Sequence, residues 1–157
     1  MLCIIKSLYK NVRACIKHQG TLTDTFRISA GVLQGEILSP VLFSMYLNDF
    51  ERHFIENNCA SVELQMINLF LIMYADDTVL IAESVESLQE MLNTLYRYTK
   101  EWNLTVNVQK TKIVVFRNGK YVRDEEKWTY DGKNVEVVNQ FNYLGLLFNY
   151  TVKNVFR

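Results

Sequence analysis

The stretch Leu69-Phe70-Leu71-Ile72-Met73-Tyr74-Ala75-Asp76-Asp77-Thr78-Val79-Leu80-Ile81 sets two short apolar runs on either side of a pair of aspartates. Runs of this length suit buried strands, so residues 69–73 and 78–81 are predicted to pair as a hairpin. The connection between them is awkward. Two-residue turns favour Asn-Gly or Asp-Gly, and neighbouring like charges repel. A divalent cation would offset that repulsion, because carboxylate-rich sites suit Mg²⁺, which takes its remaining ligands from substrate phosphates and water. Phosphoryl or nucleotidyl transfer is the chemistry that follows. Taken alone, an Asp-Asp pair in a turn is more often a solvated polar tip than a metal site, so the weight falls on its neighbours.

Upstream, Gly31-Val32-Leu33-Gln34-Gly35-Glu36-Ile37-Leu38-Ser39-Pro40 places two glycines around a glutamine just before a helix start. Glycine lets backbone approach a ligand closely, and helix N-terminal amides favour anions. Gln34 carries a donor and an acceptor able to meet a base or sugar edge. An ordinary turn with a solvated glutamine remains the competing reading. Ser39 as N-cap and Pro40 at the first helical position predict a helix. Leu42, Phe43, Tyr46, Leu47, Phe50 and Phe54 recur at three- and four-residue spacings, which carries that helix on to Asn57-Asn58.

Downstream, Leu88, Met91, Leu92, Leu95, Tyr98 and Trp102 trace one face of a second helix over residues 85–102. Its start is either Ser84 or the capping-box pattern Ser87-Leu88-Gln89-Glu90. Residues 113–116 read as a strand. A hairpin-like series follows, with Asn118-Gly119 and Asp131-Gly132 as turn dipeptides, and an aromatic-rich, extended stretch over residues 141–150 ends it. Near the start, a short helix over residues 2–10 precedes extended stretches at 12–17 and 25–28, joined across Gln19-Gly20-Thr21.

The chain of 157 residues is 49% apolar and 13% aromatic, enough to build a core and too much for disorder. The pattern reads as one unit with an appended hairpin region. Seventeen basic and seventeen acidic residues cancel, so bulk charge neither announces nor excludes a nucleic-acid partner. Local phosphate contacts could come from Lys6, Lys10, Arg13 and Lys17, or from Lys110, Lys112, Arg117, Lys120 and Arg123, although a solvated rim balanced by acids is the commoner arrangement. Cys3, Cys15 and Cys59 form neither a disulfide framework nor a zinc-ligand pattern, which fits an intracellular setting in cytoplasm or nucleus. No apolar run is long enough to predict a membrane span. His18 and His53 stand at no metal-ligand or nucleophile spacing, which argues against hydrolytic chemistry.

Three blocks in order, Gly31 to Pro40, Tyr74 to Asp77, and Phe141-Asn142-Tyr143-Leu144-Gly145, resemble the reverse transcriptases of LINE-type (non-LTR) retrotransposons. The likeness runs from about Lys6 to Phe148, and the joint pattern Gly-Val-x-Gln-Gly-x-x-Leu-Ser-Pro followed by Tyr-Ala-Asp-Asp is highly specific. It implies an α+β fold, the polymerase palm: a ferredoxin-like antiparallel sheet with helices on one face. Here the palm is incomplete, occupying about residues 1–116, and a primer-grip hairpin region over about 117–157 leads toward the thumb. The implied reaction is attack of a DNA primer 3′-hydroxyl on a deoxynucleoside triphosphate, copying an RNA template, with two Mg²⁺ (or Mn²⁺) ions holding the attacking and leaving oxygens.

In that likeness Asp76 holds metal, with Asp77 either a second ligand or a support behind the first. Gly31, Gln34, Gly35 and Ser39 help position template and nucleotide. Ala75 leaves room for the primer end, and Tyr74 either packs under the hairpin or touches the primer backbone. Phe141, Tyr143, Leu144 and Gly145 match the primer grip. Lys110 matches the residue suspected of protonating the pyrophosphate leaving group, with Lys112 its competitor and a solvated lysine the plain alternative. Glu36 departs from expectation by adding negative charge near a phosphate site. The resemblance also calls for another aspartate on a separate strand before the Gly31 loop. The only acid there is Asp24, in a Thr-rich turn, so that strand and the fingers are expected to lie outside this sequence. The chain alone is then expected to be inactive. A non-catalytic nucleic-acid-binding or interaction relic, or a palm like that of group II intron maturases, are the alternatives.

Overall fold

In the computed structural model, which describes residues 2–116 and 126–150, helices and strands are mixed along a chain that divides into two units, Met1–Tyr46 and Leu47–Arg157. The first unit begins with helix α1 (Leu2–Tyr9), followed by strands β1 (Arg13–Ala14), β2 (Lys17–His18), β3 (Thr21–Leu22) and β4 (Phe26–Arg27). Lys17 faces Leu22 and His18 faces Thr21 across Gln19-Gly20. Both turn residues have positive φ, 47° and 86°, as a hairpin turn matched to strand twist requires. Below it, β1 pairs with β4, so the two predicted extended stretches form one interrupted hairpin. Helix α2 (Ser39–Tyr46) closes the unit.

The single helix predicted from Ser39 to Asn57-Asn58 is instead two. Helix α3 (Phe50–Glu56) starts only after a turn at Leu47-Asn48-Asp49, and the division between the units falls in that gap. Asn and Asp compete with the helical backbone for hydrogen bonds, and Asp49 is engaged elsewhere, accepting the Tyr98 hydroxyl at 2.7 Å. The apolar periodicity runs on through this break. Ser39 also differs from expectation: it is the first helical residue, and its hydroxyl donates to the Leu33 carbonyl at 2.6 Å instead of capping amides.

The second unit continues with β5 (Val62–Leu64), β6 (Ile67–Leu69), β7 (Leu71–Tyr74), β8 (Asp77–Leu80), helix α4 (Val85–Glu101), β9 (Lys112–Ile113), β10 (Trp128–Tyr130), β11 (Lys133–Val137), β12 (Gln140–Tyr143) and β13 (Leu146–Asn149). Of the two possible starts for α4, the structure takes Ser84: its hydroxyl accepts from the Ser87 amide while the Ser87 hydroxyl accepts from the Ser84 amide, both at 3.1 Å. Its end is equally defined. Asn103 turns left-handed at φ 50°, the Leu104 amide reaches back to the Thr99 carbonyl at 2.8 Å, and the Asn103 amide reaches Lys100. This is the reverse-turn cap that gives partners to two of the otherwise open terminal carbonyls, and Asn58 with Cys59 repeats it at the end of α3.

The core is organised around α4. Leu92 packs with Ile113, Trp128, Tyr130 and Val135, while Met91 and Tyr98 pack with Phe50 and Phe54. The Phe50 ring meets Phe54 and Tyr98 edge-on at 5.1 and 4.8 Å between centroids. Two polar contacts lie within this core: the Thr99 and Tyr130 hydroxyls are 2.7 Å apart, and the Trp128 indole N–H donates to the Val85 carbonyl at 2.9 Å, whereas His53, edge-on to Tyr98 at 5.2 Å, keeps a buried Nε2 with no hydrogen-bond partner among the described residues. Strand β11 pairs antiparallel with β10 across Asp131-Gly132 and parallel with β9. The β5–β6, β7–β8 and β12–β13 hairpins are each two-stranded, and among the described residues β7–β8 pairs with no other strand. The turn expected at Asn118-Gly119, and Arg117, Lys120 and Arg123, lie outside the described residues. No helix among the described residues is long and apolar enough to cross a membrane.

Candidate functional site

In the aspartate hairpin Leu71 pairs with Leu80, Ile72 with Val79, Met73 with Thr78 and Tyr74 with Asp77. The ladder leaves Ala75-Asp76 as a two-residue turn. Ala75 takes φ 53°, a left-handed conformation that costs a residue with a Cβ roughly 1–2 kcal/mol. Asp76 sits at the tip and Asp77 closes the ladder, and both are exposed. Tyr74 is 63% exposed, so it does not pack under the hairpin. Among the described residues, no group of three or more His, Cys, Asp or Glu side chains is placed to hold a metal. The two carboxylates fit a cation that takes one or two protein oxygens and completes its shell from solvent and substrate.

The terminal aromatic-glycine block forms the β12–β13 hairpin, where Phe141 pairs with Phe148, Tyr143 with Leu146, and Leu144-Gly145 make the turn at φ 50° and 84°. Tyr143 is brought into the field of Asp77: burial first, and the Asp77 charge second, push its hydroxyl above the usual tyrosine value. That hydroxyl oxygen is buried and has no hydrogen-bond partner among the described residues.

The two candidate lysines part company. Lys112 is anchored, donating to the Gln109 carbonyl at 2.7 Å and ion-paired with Glu136. Lys110 is exposed in the turn after Asn107, whose side chain accepts from the Lys110 amide at 3.2 Å.

The glycine-glutamine loop belongs to the first unit. Gly31 and Gly35 both have φ 84°, and Gln34 is exposed between them, whereas Ser39 is buried. Glu36, read as a misplaced charge, is turned onto the Tyr9 hydroxyl, which donates to its Oε2 at 2.5 Å. Tyr9 was missed by sequence reasoning. It is 27 positions from Glu36, and no local pattern links a helix-terminal tyrosine to an acid in a distant loop.

A family model described as reverse transcriptase (RNA-dependent DNA polymerase) matches residues 2–148. Over 152 residues the chain is 28% identical to the "RNA-directed DNA polymerase from mobile element jockey" of Drosophila funebris, covering 93% of this chain and 16% of that protein. It is also 28% identical over 138 residues to the "Retrovirus-related Pol polyprotein from type-1 retrotransposable element R2" of Popillia japonica, covering 84% and 23%. Against the "Probable RNA-directed DNA polymerase from transposon BS" of Drosophila melanogaster it is 30% identical over 118 residues, covering 69% and 12%. The chain thus spans less than a quarter of the length of each of these relatives.

Proposed function

The chain belongs to the reverse transcriptase (RNA-dependent DNA polymerase) family, and from that premise we propose that it is the metal-holding palm portion of an RNA-directed DNA polymerase of a LINE-type, non-LTR element. The observation that carries this is the Tyr74–Asp77 pair closing an apolar hairpin with Asp76 at its strained tip, both carboxylates open to solvent. Asp76 and Asp77 hold Mg²⁺ or Mn²⁺, which when bound neutralises phosphate charge and activates the primer hydroxyl. Exposed Tyr74 meets the primer backbone, and Ala75 leaves room for its end. Phe141, Tyr143, Leu144 and Gly145 steady the primer. Lys110, free of the ion pair that occupies Lys112, supplies positive charge to the pyrophosphate leaving group. Gly31, Gln34, Gly35 and Ser39 form the loop that positions RNA template and deoxynucleoside triphosphate.

Two carboxylates do not complete a two-metal site, so polymerisation needs further polymerase segments and this chain alone does not extend a primer. Manganese titration followed by electron paramagnetic resonance tests the reading. The chain is expected to bind Mn²⁺ weakly. Asp76→Asn and Asp77→Asn should each weaken binding by at least about tenfold, since even changes behind a ligand cost 10–100-fold. Binding unaltered by both substitutions overturns the metal assignment. Primer extension on an RNA template by the unaltered chain, lost in Asp76→Asn, overturns its dormancy.

A further inference from the structure

In the segment Gly35-Glu36-Ile37 the ordinary preference is inverted: the acid is half-buried and the isoleucine is 95% exposed. Left to burial energies alone, the loop would turn Ile37 inward, since burying such a side chain gains about 1.5–3 kcal/mol and burying a carboxylate costs unless it is hydrogen-bonded. The Tyr9 hydroxyl supplies that hydrogen bond from the end of α1. Ser39 Oγ lies 3.4 Å from both the Tyr9 hydroxyl and Glu36 Oε2, and it donates to the Leu33 carbonyl at 2.6 Å. The same carbonyl accepts from the Glu36 amide, and the Ser39 amide reaches the Glu36 carbonyl, each at 3.3 Å.

We propose that Tyr9 and Glu36 are positioning residues for the nucleotide- and template-binding loop: their hydrogen bond, seated on Ser39, holds residues 33–39 wound so that Gln34 stands exposed at the crest. The assignment rests on the polymerase reading only for what the loop binds. The brace itself is a property of the first unit without ligand. It also accounts for a carboxylate beside a phosphate-binding loop, because Glu36 is committed to a hydroxyl donor. The same contact pushes the Tyr9 hydroxyl above its usual pKa, chiefly through the hydrogen bond to Glu36.

Amide hydrogen exchange on the full chain tests the brace with neither metal nor nucleotide present, so its failure is separate from failure of the polymerase reading. Tyr9→Phe keeps the ring and removes the donor. It should speed exchange at the Glu36 and Ser39 amides by about three- to tenfold, the range that one net hydrogen bond gives, while amides in β1 and β4 keep their rates. Glu36→Gln retains an oxygen acceptor and should show a smaller change at the same two amides, whereas Glu36→Ala should match Tyr9→Phe. Unchanged rates in Tyr9→Phe overturn the proposal. So does an acceleration spread equally over the β1–β4 ladder, which would mark a general contribution to stability with no positioning role, and so does a Glu36→Gln effect as large as that of Glu36→Ala.

Discussion

Helix α4 and the β7–β8 hairpin lie next to each other in the chain and are built on opposite principles. The helix is capped at both ends and buries Met91 and Tyr98 completely, with Leu92 nearly so. Hydroxyls that enter its core find partners there: Thr99 with Tyr130, Tyr98 with Asp49. The hairpin has four cross-strand pairs, exposes Ile72, Met73 and Tyr74, and turns through a left-handed alanine. Burial is concentrated along α4, and the candidate chemistry stands on a short ladder whose residues are mostly open to solvent. Proteins commonly place ligand-binding segments at the low end of their local stability, because a site that must accept metal and substrate cannot also satisfy itself internally.

The strongest challenge to this contrast is to cut each region in turn. Phe54→Ala empties a site that is 0% exposed between α3 and α4 and is expected to cost about 3–5 kcal/mol, a large part of the 5–15 kcal/mol that holds a typical domain. Asp77→Asn, on the exposed end of the hairpin ladder, should stay within about 0.5 kcal/mol, as surface substitutions do. Urea unfolding read by far-ultraviolet circular dichroism separates them. Equal losses from the two substitutions would mean the hairpin is as much a part of the core as α4 is.

A middle-sized effect sharpens the comparison on the helix side. Ser84→Ala removes the hydroxyl that accepts from the Ser87 amide and should lower stability by about 1 kcal/mol. The same terminus carries a pH signature. The Glu86 carboxyl is held below its ordinary value of 4.5 by its own backbone amide first and by the Ser84 side chain second. A carboxyl depressed on folding stabilises above its unfolded value and loses that contribution as pH falls through the folded one. The difference between the parent chain and Ser84→Ala is therefore expected to narrow on acidification, and a gap that widens toward low pH would contradict the cap.

What the residues revealed beforehand follows the same division. Helix α4 was legible because its signals are local: a serine cap, apolar positions three and four apart, and a polar stop. The turns at Gln19-Gly20 and Asp131-Gly132 were legible for the same reason, since positive φ at both positions needs such dipeptides. The aspartates announced themselves by being wrong for a turn. The break between α2 and α3 was hidden because the apolar spacing continues through it, and only the long-range bond from Tyr98 to Asp49 shows where Asp49 is engaged. The parallel pairing of β9 with β11, matching Lys112 to Glu136, was equally hidden. So was the tie from Tyr9 to Glu36, because contacts between distant residues leave no trace in local periodicity.

The smallest expected effect tests whether the tip of the hairpin is strained at all. At φ 53° Ala75 pays roughly 1–2 kcal/mol that glycine would not, while glycine gives back about 0.5–1 kcal/mol in unfolded-chain entropy. Ala75→Gly should therefore raise stability by about 0.5 kcal/mol, a small upward shift in urea midpoint with unchanged slope. Mn²⁺ binding should weaken at the same time, because a glycine tip samples more conformations and must lose them when Asp76 and Asp77 close on the ion. A gain in stability paired with a loss in metal affinity would show that the left-handed alanine preorganises the carboxylates at the expense of the fold. A loss in both would show that the turn is simply the best structure this hairpin has, and the contrast with α4 would then rest on burial alone.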